Sequence, residues 1–321
     1  MFRFLLRRVL QMIPLLLGIS LICFGVMQLA PGDYLTQMQG NPTINPETIE
    51  RLRRSFGLDK PWYVQYVLWL KNALMLNFGV SFELKEPVFS IIGQRTYYTL
   101  LLSLSAMILS WLVALPMGIY AATHKNGLID RLTSAIAFCG ISLPGFFVAL
   151  VALLFAQKTG WFPVGGAESP NHSSLSAWGR FLDTAHHLVL PALVLGTRGV
   201  ASLMRQMRGN LLDVLGENYV LAARARGLQE KVVIVKHAVR NAINPLITIL
   251  GYDLAGLLAG AALVETVMSW PGLGQLLLRA VMTQDVYLAM GSFVMGAVLL
   301  MLGNLVADML LAFTDPRIRF S

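Results

Sequence analysis

The chain has 321 residues, 56% of them hydrophobic and only 13% charged. Soluble domains carry about 25% charged residues, so this surface is too poor in charge to be solvated, and a soluble globular enzyme is excluded. The net charge of +8 fits the cationic loops that orient membrane proteins better than it fits nucleic-acid binding.

In chain order, Arg3, Arg7 and Arg8 precede a run without charge, Val9–Ala30. That run exceeds the roughly 7–15 residues of a signal-peptide core, and no small-x-small cleavage site ends it. It therefore reads as a retained first span, followed by a turn at Pro31-Gly32-Asp33. The stretch 31–95 reads as an ordered helical loop outside the membrane. Asn45-Pro46-Glu47 is a helix start with proline at its first position, Gly57 a stop, and Pro61 opens a second helix from Trp62 to Leu76. Its Trp and Tyr residues suit the outer headgroup region.

Thr96–Thr123, Leu132–Gln157 and Val286–Ala307 also lack Asp, Glu, Lys and Arg. Each is long enough to cross a hydrocarbon core of roughly 30 Å, which needs about 20 residues of helix. Thr184–Met204 and Asn241–Val264 qualify by length but carry Arg198 and Asp253. Six spans result, in an all-α membrane protein with both ends inside. This orientation places eight Lys and Arg in the segment Arg198–Arg240, as the positive-inside rule expects. Residues 1–30 form the N-terminal segment and first span, 31–95 the outside loop, and 96–321 a core of five spans. Pro116, Pro144 and Pro191 are placed to kink their spans. Gly256-Leu-Leu-Ala-Gly260 is a close-packing motif. Ser269–Gly274 marks a turn with an interfacial tryptophan and a short helix near it.

Chemical signatures are sparse. Asp253, Glu265 and Asp308 are acids in or near spans, and of these Asp253 and Glu265 are candidates for a translocation path or gate. His186-His187 are adjacent and do not share a helix face, so no metal site is expected. Cys23 and Cys139 read as small buried hydrophobes. The chain lacks a phosphate-binding GxxxxGK[ST], a GxSxG, an HExxH and a CxxC pair, so no catalytic residue is assigned and energy must come from another subunit or a gradient.

The segment Tyr219–Pro245 is the richest in signal. Ala222, Ala223, Ala225 and Gly227 keep side chains small, so another protein's backbone can come close, while Arg224 and Arg226 can pair with its acids. His237, Arg240 and Asn241 are placed to hydrogen-bond helix termini before Pro245.

This segment resembles the cytoplasmic signature of the inner-membrane permeases of ATP-binding-cassette importers: E-A-A, three residues, then G, and a later proline. Ala222-Ala223, Gly227 and Pro245 match it, and Leu221 stands where the glutamate would be. The peptide-importing branch is similar through Y-x-x-x-A-R-A-x-G-L, as in Tyr219, Ala223, Arg224, Ala225, Gly227 and Leu228. It continues through H-A-x-R-N-A-x-x-P, as in His237-Ala238, Arg240-Asn241-Ala242 and Pro245. Further likeness lies in Gly57–Pro61, Phe78–Ser81, Ser142-Leu143-Pro144, Leu190-Pro191-Ala192, Ser269–Gly274 and Asp315–Arg319.

The resemblance implies a type I importer fold in the bacterial cytoplasmic (inner) membrane. It implies a coupling helix at about 219–229 seated on one of two ATPase subunits, a homologous second permease, and an external solute-binding protein. ATP and Mg would be used by the ATPase subunits, and no cofactor is expected on this chain. Peptides are the expected solute, with nickel chelates or glutathione as alternatives within the same machinery. A gradient-driven secondary transporter is the rival from another class; it calls for coupling acids at mid-membrane, and only Asp253 fits.

Overall fold

The computed structural model describes residues 2–29, 46–55 and 57–314. Regular structure among them is helical, and extended backbone pairs only in an isolated bridge between Val80 and Pro87. The helices are α1 (Phe2–Leu29), α2 (Pro46–Ser55), α3 (Trp62–Ala73), α4 (Val88–Thr123), α5 (Leu128–Ser142), α6 (Gly145–Thr159), α7 (Ala177–Leu215), α8 (Asn218–Ala225), α9 (Asn244–Val267), α10 (Leu273–Met282) and α11 (Val286–Thr314). The expected turn at Pro31-Gly32-Asp33, the cap at Asn45 and the tail motif Asp315–Arg319 lie outside the described residues. By length and apolar composition, α1, α4, α7 and α11 qualify as spans, and α5 with α6 qualifies as one bent pair.

The chain divides into two compact units. The first comprises Met1–Thr99 and Pro271–Met301. In it α3 lies along α1: Ser20 and Tyr66 share a 2.9 Å hydrogen bond, and the rings of Phe24 and Tyr66 are 5.6 Å apart. Trp69 is buried in α3, whereas Trp62, Tyr63 and Val67 are exposed, so one face packs on protein and the other is open. α3 ends at Ala73, short of the expected Leu76. Leu76 lies in the turn beyond, at φ 59°. Asp285 anchors the loop before α4. Its carboxylate is fully buried and accepts from Ser81 Oγ (2.6 Å), the Glu83 N–H (3.1 Å) and the Leu288 N–H in the first turn of α11 (3.1 Å). Arg279 adds two bonds to Glu83 Oε1, at 3.0 and 2.7 Å.

The second unit comprises Leu100–Trp270 and Leu302–Ser321. A span over Leu132–Gln157 was the expectation from sequence. The structure instead breaks it into α5 and α6, which meet at 108°. Pro144 causes the break: it has no N–H to give, and its ring drives Leu143 to extended backbone, φ −82° and ψ 133°. Pro116 and Pro191, by contrast, sit inside α4 and α7 without ending them. α5 is pinned to α7 by Arg208, whose Nε and Nη2 donate to the two oxygens of buried Asp130 at 2.5 and 2.9 Å. Small residues bring α4 against α7. A Cβ built on Gly118 would stand 2.8 Å from both the Met204 carbonyl oxygen and Met207 Cβ.

Two outcomes follow. Gly118→Ala must push α4 off α7, and the overpacking should cost about 1–3 kcal/mol, read as a lower melting temperature in detergent; an unchanged melt refutes the close approach. Asp285→Ala leaves the Ser81 and Glu83 donors and the first turn of α11 unserved. Hydrogen bonds to charged groups contribute about 1.5–3 kcal/mol each, so it should destabilise more than Asp285→Asn, and equal melts for the two would refute that.

Candidate coupling loop and solute cavity

α7 ends at Leu215, and a two-residue turn through Gly216 and Glu217 starts α8, an eight-residue helix. Two side chains of α8, Val220 and Ala223, are buried at 0% and 2% exposure in the same apolar cluster as Leu211 of α7 and Leu246 of α9. Its other face is open: Leu221 is 49% exposed, and Ala222, Ala225, Arg226 and Leu228 are exposed beside it. An isolated helix this short is unstable in water, so α8 exists because Val220 and Ala223 hold it down.

Beyond α8 the chain turns at Gly227, whose N–H bonds the Arg224 carbonyl at 2.9 Å with φ +76°. Glycine is needed here for its left-handed backbone. A Cβ at this position would meet nothing within 4 Å in the chain. Arg224 has a partner within the chain: its Nε lies 3.1 Å and its Nη2 2.7 Å from the Glu230 carboxylate. That pair clamps the two sides of the Gly227 turn. Arg224 holds the Glu230 carboxyl below the usual carboxylate range, so the clamp is complete at neutral pH and is lost as pH falls through the lowered value. Both groups are solvated, so the pair contributes under about 1 kcal/mol. Arg226 remains exposed, with Nε 3.3 Å from the Ala222 carbonyl.

The return path is helical. Single α-turns at Glu230–Val232 and Arg240–Ala242 flank a π-helix over Val233–Val239, in which Val233 and Ala238 are fully buried. Asn241 Nδ2 donates to Tyr219 Oη (2.9 Å) and to the His237 carbonyl (3.0 Å), tying this return to the start of α8. Asn210 Nδ2 of α7 donates to the Ala242 carbonyl at 3.2 Å. His237 is half-buried, Arg240 is exposed, and Pro245 occupies the first turn of α9.

A cavity of about 530 Å³ opens in the second unit beside the break between α5 and α6. Met107, Ser110 and Trp111 of α4 line it, with Gly140, Leu143, Gly145 and Phe146 at the break. Val194, Thr197, Arg198 and Ser202 of α7 and Leu263 of α9 complete its wall. The Ser110 hydroxyl is 2.7 Å from the Ala106 carbonyl and 3.1 Å from that of Gly196. Most of the lining is apolar, and Arg198 is its charged member.

The two acids expected on the path fare differently. Glu265 is fully buried near the end of α9, where its carbonyl accepts from the Trp270 N–H at 2.8 Å, and it is not part of the cavity wall. Asp253 lies within α9, and its side chain lies outside the described residues. The close-packing glycines 256 and 260 share that position. Sequence reasoning treated Arg198 only as a flaw in a span, although the rule that picks out ionisable groups at membrane depth applied to it as well. The adjacent histidines go separate ways: His186 Nε2 is 2.8 Å from the Trp161 carbonyl, and His187 Nδ1 is 2.9 Å from that of Asp183.

Comparison with known proteins places the chain among transport proteins. Residues 114–320 match the family described as Binding-protein-dependent transport system inner membrane component. Residues 1–104 match its N-terminal companion, Binding-prot-dependent transport system membrane comp, N-term. The chain is 39% identical over 319 residues to the oligopeptide transport system permease protein AppB of Bacillus subtilis (strain 168), covering 99% of each. It is 35% identical over 337 residues to the dipeptide transport system permease protein DppB of Escherichia coli (strain K12), again 99% of each. Among solved structures it is similar in fold to a chain of the MetNI methionine ABC transporter in inward-facing conformations. The TM-score is 0.54 at 17% identity, over 70% of this chain and 96% of that one.

The geometry at Gly227 makes a direct forecast. A side chain in left-handed backbone costs roughly 1–2 kcal/mol, asparagine least, so Gly227→Leu should loosen the turn and Gly227→Asn should barely do so. Trypsin cleavage after Arg224 and Arg226 should quicken several-fold in the leucine variant alone. Equal cleavage in both variants would show that backbone handedness is not what glycine supplies.

Proposed function

The chain belongs to the family of binding-protein-dependent transport system inner membrane components, and from that premise we propose that it moves di- or oligopeptides inward across a bacterial cytoplasmic membrane. It acts as the permease subunit of an ATP-binding-cassette importer and carries no ATP site of its own. ATP and Mg are used by two ATPase subunits, a homologous second permease completes the path, and an external solute-binding protein delivers the cargo. The peptide assignment is supported by relatives whose names specify oligopeptide and dipeptide transport.

The observation that carries the coupling role is α8. It is a short helix pinned on one side by Val220 and Ala223 and bare on the other, where Leu221, Ala222, Ala225 and Leu228 are exposed. In water such a face has no reason to stay open, and an ATPase groove would bury it. With the loop facing the cytoplasm, Tyr219, Ala222, Ala223, Ala225, Gly227 and Leu228 form or shape the contact. Arg226 is the cation available to it, because Arg224 is occupied by Glu230. His237, Arg240, Asn241 and Pro245 belong to the supporting return, in which Asn241 makes the visible tie. The bundle then exchanges inward-open and outward-open states, biased by nucleotide on the partners.

The test is reconstitution of the full complex in vesicles. Peptide uptake should require ATP and all partners; uptake by this chain alone in ATP-free vesicles would establish the gradient-driven alternative instead. Ala222→Trp should lower binding-protein-stimulated ATP hydrolysis and uptake together by tenfold or more while membrane insertion is retained. Full activity in that variant would remove α8 as the contact.

A further inference from the structure

We propose that Arg198 recognises the carboxylate of the transported solute within the cavity of the second unit, an inference that rests on the peptide reading above. Between His187 and Met204 of α7, Arg198 is the only charged residue, and an arginine in so apolar a stretch is costly without a purpose. Its side chain is exposed on the cavity wall rather than folded into the apolar core. Among the described residues no ion pair is found for it, in contrast to Arg208, ten residues further along α7, which is held by Asp130.

The surroundings suit an anion. Ser202 stands one turn beyond Arg198 on the same face and accepts from Gln206 Nε2 at 2.9 Å, so its own hydroxyl proton remains to be donated. Gly145 and Phe146, in the first turn of α6, line the same space. Their N–H groups precede the first intrahelical bond, and the Pro144 cap offers them no side-chain acceptor. The helix end therefore adds positive potential to a site that Arg198 defines.

The volume, about 530 Å³, falls within the roughly 300–1,000 Å³ of small-molecule sites and admits a short peptide. Most of the rest of the wall is apolar, its polar members being the hydroxyls of Ser110, Thr197 and Ser202, and no second charge is set against particular side chains, while every unblocked peptide ends in one carboxylate. A guanidinium forks onto that group in two parallel bonds. Such a site would accept peptides of many sequences and discriminate by the terminus.

The measurement uses the complete reconstituted transporter and two probes, trialanine and its C-terminal amide, each supplied at a concentration that saturates the binding protein. Comparing each variant with wild type for the same probe cancels the delivery step. Arg198→Gln should lower trialanine uptake at least tenfold and change amide uptake less than twofold, with complex assembly and basal ATP hydrolysis retained. Arg198→Lys should keep part of the preference for the free carboxylate. Unchanged trialanine uptake in Arg198→Gln overturns the inference. So does a loss shared equally by both probes, which is the signature of an arginine that only pairs with an acid of the protein. If the wild-type complex carries neither probe under ATP, the peptide reading itself fails and takes this inference with it; trialanine carried by wild type and by Arg198→Gln alike sinks the inference alone.

Discussion

Hydrocarbon offers backbone groups no hydrogen-bond partner, so a helix within a bilayer can be interrupted only where protein or a water-filled cavity receives the freed groups. Pro144 forces such an interruption, turning the chain by 108° between α5 and α6. The cavity lies where that constraint predicts it, against residues 140–146. The rest of the second unit secures the arrangement. Asp130 and Arg208 fix the start of α5 on α7, and Gly118 lets α4 come within backbone distance of Met204. The break, the cavity and the close packing that surrounds them are thus one solution to a single requirement.

The loop after α7 obeys a different constraint. Eight residues of helix do not persist alone, and the open face of α8 has to be held from behind. Val220 and Ala223 supply the burial, the Asn241–Tyr219 bond supplies the register, and Gly227 with the Arg224–Glu230 clamp supplies a fixed exit. Rigidity is what the loop needs if it is to transmit a displacement, since a frayed helix would absorb the movement of its partner.

Much of this was legible in the residues. Apolar windows located the long helices because hydropathy over about 20 residues reflects a requirement that bilayers impose. The start at Pro46 and the glycine after Ser55 were readable for the same local reasons. The break at Pro144 was not, because a proline in a span can kink, end or merely sit in a helix; Pro116 and Pro191 do the last. Only packing decides among these. Gly227 was legible for its small size, and the structure adds a second reason for it, a left-handed backbone; both leave the same letter in a sequence. Arg224 was likewise visible as a cation near a partner surface, but its pairing with Glu230, six residues on, depends on a turn whose handedness the sequence does not display.

The α8 loop and the cavity are joined by one element. α7 carries Arg198 on the cavity wall and ends at Leu215, immediately before the turn into α8. At 1.5 Å per residue, the seventeen residues between those points span about 26 Å. No proline interrupts them, and Leu203, Met204, Met207 and Leu211 are buried along their length. A stiff rod of that kind converts a shift of α8 into a shift of the cavity wall without any intermediate hinge. The return route is of another nature: the π-helix at Val233–Val239 sits between α8 and α9, so α9 is reached through a different helical geometry. If an ATPase presses on α8, these two unlike connections would pass the shift to α7 and to α9 differently, and the cavity, lined by both, would change shape rather than travel as a block.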